Sequence, residues 1–156
     1  MAISKEYVKT LEKIAHAIGT KEKWLVRGSV CLAMYGVNIT PHDIDINTTK
    51  NGIYIFEKQL KNHLVKPVEL SEFNWLGKKF RSLFCTFRID DIDIEVVANW
   101  QEKIGDKWKN HKMQKAVFLR AGSVKVPVNT IKDELEHAIK RKRTDRVKQI
   151  TKFLEK

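Results

Sequence analysis

Long apolar runs are missing from this 156-residue sequence, and nothing in it approaches the ~20 consecutive apolar residues that a membrane-crossing helix needs. The opening stretch, MAISKEYVKTLEK, lacks the apolar core of a signal peptide, so a cytoplasmic protein with no membrane partner is the expectation. Cysteine is nearly absent as well. Cys31 and Cys85 lie inside the apolar patterns SVCLAM and SLFCTF and read as buried free thiols. A disulfide framework needs an oxidising compartment, and a zinc site needs more ligands at closer spacing. Internal repeats and low-complexity segments are missing too, which excludes solenoids and disordered linkers. What remains is 42% hydrophobic and 31% charged, long enough for one domain with a core and too short for two ordinary ones.

The charge is uneven. Residues 1–100 carry 14 Lys and Arg against 12 Asp and Glu, and residues 101–156 carry 16 against 7, so nearly all of the net +11 belongs to the carboxyl third. Such a field attracts nucleoside triphosphates, nucleic acid or another acidic partner. It equally suits a solvated, lysine-rich surface.

The chain is organised around Trp24 to Asn47, WLVRGSVCLAMYGVNITPHDIDIN. Trp24 to Arg27 reads as a strand, Gly28-Ser29 as a turn, Ser29 to Tyr35 as a short apolar helix, and Asp43 to Ile46 as a second strand. Alternation puts Asp43 and Asp45 on one face and Ile44 and Ile46 on the other. Paired carboxylates repel unless a cation sits between them, and Mg²⁺ commonly takes one or two carboxylates together with substrate phosphate oxygens. Gly28-Ser29 lies between a strand and a helix amino end, where unpaired N–H groups favour phosphate and glycine permits close approach.

On either side of this stretch the pattern alternates helix and strand. Ile3 to Ile18 has helical spacing, capped by Ser4 and stopped by Gly19. Asn47-Thr48-Thr49 reads as the start of a helix over Ile53 to Leu64, followed by a strand at Val68 to Leu70. Phe80 to Ile89 and Ile92 to Val97 form a hairpin turning at Asp90-Asp91. Gln101 to Gln114 reads as a polar loop or short helix, whose Trp108 either stacks on a base or packs at the surface. Ala116 to Val126 is a small hairpin, and Ile131 to Lys142 and Asp145 to Leu154 are closing helices, with Asp133 and Glu134 suited to a first turn. The expected fold class is α+β: a central mixed sheet flanked by helices, one domain over 1–156, its core about 20–100 and its basic portion 101–156.

Gly28-Ser29, thirteen intervening residues, then Asp43-Ile44-Asp45-Ile46 resembles the signature of the DNA polymerase beta-type nucleotidyltransferase superfamily, in particular its small members, the aminoglycoside and lincosamide nucleotidyltransferases. The resemblance implies transfer of a nucleoside monophosphate from an NTP to an acceptor hydroxyl with two Mg²⁺ ions. Asp43 and Asp45 would be metal ligands, with a third acid on a later strand. Glu95 fits that place better than Asp93, since it stands five residues before Trp100; Asp93, on the same face, remains the alternative. Gly28 and Ser29 would meet the β- and γ-phosphates. The tail is similar to that of small members whose basic residues face the nucleotide, which makes Lys140, Arg143 and Arg146 candidate triphosphate contacts; for each, a solvated charge is the plainer reading. His42, just before Asp43, is either positional or a substrate contact.

The acceptor is open, a small molecule being favoured because the chain has little room for a separate acceptor domain; a site shared across a homodimer also fits. The alternatives are a nucleotide-binding protein of the same fold with weak or no turnover, and a nucleic-acid-binding module driven by the basic third.

Overall fold

The computed structural model describes residues 3–156. Helix α1 (Lys5–Ile18) leads into β1 (Trp24–Arg27), α2 (Gly28–Tyr35), β2 (Ile44–Thr48) and α3 (Lys50–Gln59). Three long strands follow, β3 (Leu64–Trp75), β4 (Lys78–Ile89) and β5 (Ile92–Ile104), then β6 (Lys107–Asn110), β7 (Ala116–Ala121), β8 (Val124–Asn129), α4 (Ile131–Lys140) and α5 (Thr144–Leu154). The eight strands make one mixed sheet in the order β3-β4-β5-β2-β1-β8-β7, with β6 paired to the far end of β5. Two contacts are parallel, β2 with β5 and β1 with β8.

Alternation decides which face of the sheet becomes core. Trp24, Val26, Ile44, Ile46, Ile94, Val96, Val126 and Val128 project to one side. There they pack against Leu11, Ile14 and Ile18 of α1, Val30, Cys31 and Met34 of α2, and Ile53 and Phe56 of α3. A second cluster, Leu32, Val37, Ala138 and Ile150, fastens α4 and α5 to the back of α2. Arg27, Asp45, Asn47, Glu95 and Val97 are the alternate residues of the same strands and so share the opposite face. Both cysteines are free and fully buried, and burial pushes the Cys85 thiol up to about 12.

The mixed helix-and-sheet architecture matches the sequence expectation, and several element boundaries differ from it. Asn47 and Thr48 end β2 instead of starting a helix. Asn47 pairs across from Leu25, and the Thr48 hydroxyl donates to the Lys23 carbonyl at 2.6 Å. The cap is Thr49, whose Oγ accepts from Gly52 N–H at 2.9 Å, so α3 begins at Lys50; it ends at Gln59, before the tighter turn Lys61–His63. Val68 to Leu70 is the middle of a twelve-residue strand. Gln101 to Gln114 is largely strand: β5 runs to Ile104 and turns through Gly105-Asp106 into β6, with Gly105 at φ +64°. Trp108 lies on β6 under the Arg81 guanidinium, 4.3 Å from its ring centroid.

Gly52 shows how tightly α3 meets β2. A side-chain carbon there would collide with Thr48 Oγ1 and stand 3.0 Å from Glu22 Cγ. Helix-interior Gly→Ala usually stabilises by up to about 1 kcal/mol. Here Thr48 Oγ1 is held by its own hydrogen bond and cannot move aside. Gly52→Ala is therefore expected to destabilise by about 1–3 kcal/mol, as overpacking does, read as a lower urea midpoint.

Candidate active site

The site lies where three neighbouring strands present their outward residues in one row. In the β1–β2 register Arg27 stands across from Asp45, and in the β2–β5 register Asp45 stands across from Glu95. Neighbouring strands run about 4.8 Å apart, so the row reads cation, carboxylate, carboxylate over roughly 10 Å. Asp43 precedes β2 in a bend and is exposed. Burial raises the Asp45 carboxyl above its ordinary range; Asp43 adds to the rise, while Arg27 and Arg146 oppose it. The Glu95 carboxyl is raised by partial burial and then by Asp45, again opposed by Arg27. Burial is the larger cause at both acids.

The hairpin acids differ in their company. Asp93 is paired with Arg88 at 3.0 Å, and Asp91, 99% exposed, sits in the turn at φ +65°. Glu95 is the hairpin acid brought beside Asp45. Among the described residues no three Asp, Glu, His or Cys side chains are drawn into a ready metal shell.

Gly28 adopts φ +76°, a left-handed conformation that glycine reaches without strain, and a Cβ there would stand 3.0 Å from Asp45 Oδ2. Its N–H donates to Glu134 Oε1 at 3.0 Å, so that donor is already engaged. Ser29 is 5% exposed, and its Oγ accepts from the His42 N–H at 2.9 Å, tying down the loop that carries Asp43. His42 enters the site through its backbone in this way, while Tyr7 donates its hydroxyl to the His42 carbonyl at 2.7 Å.

Beyond Gly28 a cleft of about 790 Å³ opens along the sheet. Lys140, Arg143 and Arg146 all line it, with Arg141 beside them. Arg146 carries a buried Nε–H without a hydrogen-bond partner among the described residues. Such a donor costs about 1–3 kcal/mol when left unmet, which favours an acceptor from outside the chain. Arg143 and Arg146 also border a smaller groove of about 450 Å³ beside Thr40 and His42.

Sequence reading overlooked three contributors. Arg27 stands at the end of β1, outward by alternation from the buried Val26, and its Nε donates to Asn47 Oδ1 at 2.8 Å. Glu134 reads as an ordinary first-turn acid, yet it is 5% exposed and accepts from Asn129 Nδ2 at 2.7 Å as well as from Gly28. The third is an aromatic wall in the cleft, Trp75 from β3, Phe80 from β4, Trp100 from β5 and His137 from α4, for which no local signal exists.

A family model for aminoglycoside-2''-adenylyltransferase matches residues 10–138. No curated protein matches. Among solved structures, a candidate nucleotidyltransferase (TM1012) from Thermotoga maritima is 28% identical, with 98% of this chain and 95% of that one covered and a TM-score of 0.77. ANT(2'')-Ia in complex with adenylyl-2''-tobramycin is similar at 12% identity, 96% and 90% coverage and a TM-score of 0.56. The lincomycin-bound lincosamide adenylyltransferase LnuA follows at 8% identity, 94% and 99% coverage and a TM-score of 0.52. At those two identities the likeness is one of fold.

Proposed function

The chain belongs to the aminoglycoside-2''-adenylyltransferase family, and from that premise we propose that it transfers a nucleoside monophosphate from an NTP to the hydroxyl of a small acceptor, with a divalent metal. The acceptor oxygen forms a bond to the α-phosphorus, the bond to the β-phosphate oxygen breaks, pyrophosphate leaves, and the hydroxyl proton passes to a base. The observation that carries this reading is the placement of Asp45 opposite Glu95, beside a glycine that a Cβ would crowd.

The donor set fits a divalent cation. Asp45 and Glu95 stand on paired positions with raised carboxyls, which Arg27 at both and Arg146 at Asp45 only partly offset, and Asp43 stands exposed in the bend just before them. Asp43, Asp45 and Glu95 would hold Mg²⁺, which would neutralise phosphate charge and make the acceptor oxygen more acidic. Glu95, the more open of the paired acids, is suited to accept the hydroxyl proton. Arg27 opposes the rise of both carboxyls through its field. Gly28, lacking a Cβ, leaves room for the Asp45 carboxylate beside the turn, and Ser29 holds the loop that carries Asp43. Arg146, Arg143 and Lys140 would meet the triphosphate. Most of the acceleration then comes from positioning and charge.

A net charge of +11 repels polycations at long range, so a neutral or acidic acceptor is favoured over an aminoglycoside. The test is transfer of label from α-³²P NTPs, with Mg²⁺ or with EDTA, to a panel of hydroxyl compounds that includes tobramycin. Label transfer that survives EDTA, or no transfer to any compound, would overturn the proposal. Arg146→Ala removes a charged donor facing phosphate and is expected to raise the KM for NTP about tenfold to a hundredfold, with a smaller change in kcat.

A further inference from the structure

We propose that Gln114 is a positioning residue for the transfer reaction. From a strap that crosses the sheet it fixes the Asn47 amide, and Asn47 in turn holds the Arg27 guanidinium in the row with Asp45 and Glu95. This inference rests on the nucleotidyl-transfer reading above.

Arg27 is the cation of the row, yet no ion pair fixes it there. Among the described residues it forms none with Asp45 or Glu95, and its one side-chain hydrogen bond is the one from Nε to Asn47 Oδ1 at 2.8 Å. Asn47 therefore decides where that guanidinium points. It stands two positions after Asp45 on β2, on the same outward face, and is only 8% exposed. A terminal amide has two broad orientations, half a turn apart, which exchange its oxygen for its N–H donors. Only one of them can accept from Arg27; the other sets donor against donor. Gln114 selects the first, because its Oε1 accepts from Asn47 Nδ2 at 3.1 Å.

Topology brings Gln114 to this place. At Gln101 one edge of β5 is taken by β4, so β6 occupies the other and stands in line with β2 beyond its end. β7 lies at the far edge of the sheet and begins at Ala116, opposite Asn129. Residues 111–115 must join the two. Six Cα links reach at most about 20–22 Å, and three strand spacings of about 4.8 Å plus the descent along the sheet use most of that. The connection is accordingly drawn out, with no helix or strand of its own. The His111 N–H donates to the Trp100 carbonyl at 2.8 Å and pins its start, and the β7–β8 pairing pins its end. Between these anchors His111, Lys112, Met113 and Gln114 line the cleft. Two hydrogen bonds thus connect the strap to the charge row below it. Gln114 itself is exposed, so its bond adds little to stability and its weight falls on orientation. Misplacing a charged group beside the reacting atoms costs rate far more than it costs binding.

Gln114→Leu removes the acceptor, whereas Gln114→Glu keeps an accepting oxygen on a side chain of the same length. The experiment measures label transfer with Mg²⁺ and, on the same full-length chains, the Arg27 Nε–H signal by ¹⁵N NMR. Gln114→Leu is expected to lower kcat about tenfold to a hundredfold, with the KM for NTP within about threefold and the melting temperature unchanged. Its Arg27 Nε–H should exchange faster with water than in the wild type. Gln114→Glu should recover both the rate, to within about threefold, and the protected signal. In an Arg27→Ala background Gln114→Leu should add no further loss, since both act through one group. A wild-type kcat in Gln114→Leu, or an Arg27 signal that does not change, overturns the inference and leaves the transfer reading intact. A loss that persists in full without Arg27 also overturns it, and makes Gln114 a direct substrate contact. If the wild type transfers label to no compound, the transfer reading falls and takes the inference with it.

Discussion

Asp45→Asn is expected to lower nucleotidyl transfer at least about a thousandfold, on the scale of losing a central electrostatic contact in an active site. It is also expected to leave the melting temperature unchanged or slightly higher. The two effects have one cause. Burial and Asp43 raise the Asp45 carboxyl, and Asp45 in turn raises Glu95. An amide of the same shape removes that repulsion, and the Arg27–Asn47 hydrogen bond does not depend on Asp45. Function and stability therefore pull in opposite directions at this position. Label-transfer rates and thermal unfolding on the same preparation check both halves; transfer at the wild-type rate would exclude Asp45 from the chemistry. Asp93→Asn is the informative control, because Asp93 is paired with Arg88 outside the row. It should cost little activity.

Glu134→Ala should do the reverse and act mainly on the fold. The buried carboxylate takes the Gly28 N–H on one oxygen and the Asn129 amide on the other. Truncation orphans two donors in a tight space, at about 1–3 kcal/mol each, so a loss of about 2–6 kcal/mol is expected as a lower urea midpoint. Because Glu134 ties the start of α4 to the start of α2, the turn at Gly28 should also loosen, and the KM for NTP should rise. Glu134→Gln keeps the shape and one acceptor, so it should lose less on both measures.

Wherever function and fold are encoded in a short stretch, the sequence is easy to read. Gly28, Asp43 and Asp45 fall within one strand–turn–helix–strand unit, and period-two alternation settles which side chains face outward. The choice between Asp93 and Glu95 defeats periodicity because they share a face; what separates them is the Arg88 partner and the β2–β5 register, neither of which spacing encodes. Glu134 resembles any helix-start acid until its distant partner Gly28 is seen. Asn47-Thr48-Thr49 has the composition of a cap, and only pairing with β1 keeps two of the three in the sheet. The polarity of residues 101–114 reflects a narrow ribbon projecting past the sheet, solvated on both sides, where strands lose their apolar alternation.

The parallel pairing of β2 with β5 has a kinetic consequence. Residues 49–91, which include α3 and the β3–β4 hairpin, lie between those strands in the chain, so their pairing closes a long loop. Asp45 and Glu95 are thus strangers through most of folding, since such long-range closure comes late. A cation bound between them would have nothing to grip in the denatured chain or early on the pathway. Its stabilisation should appear as slower unfolding, with the refolding rate nearly untouched.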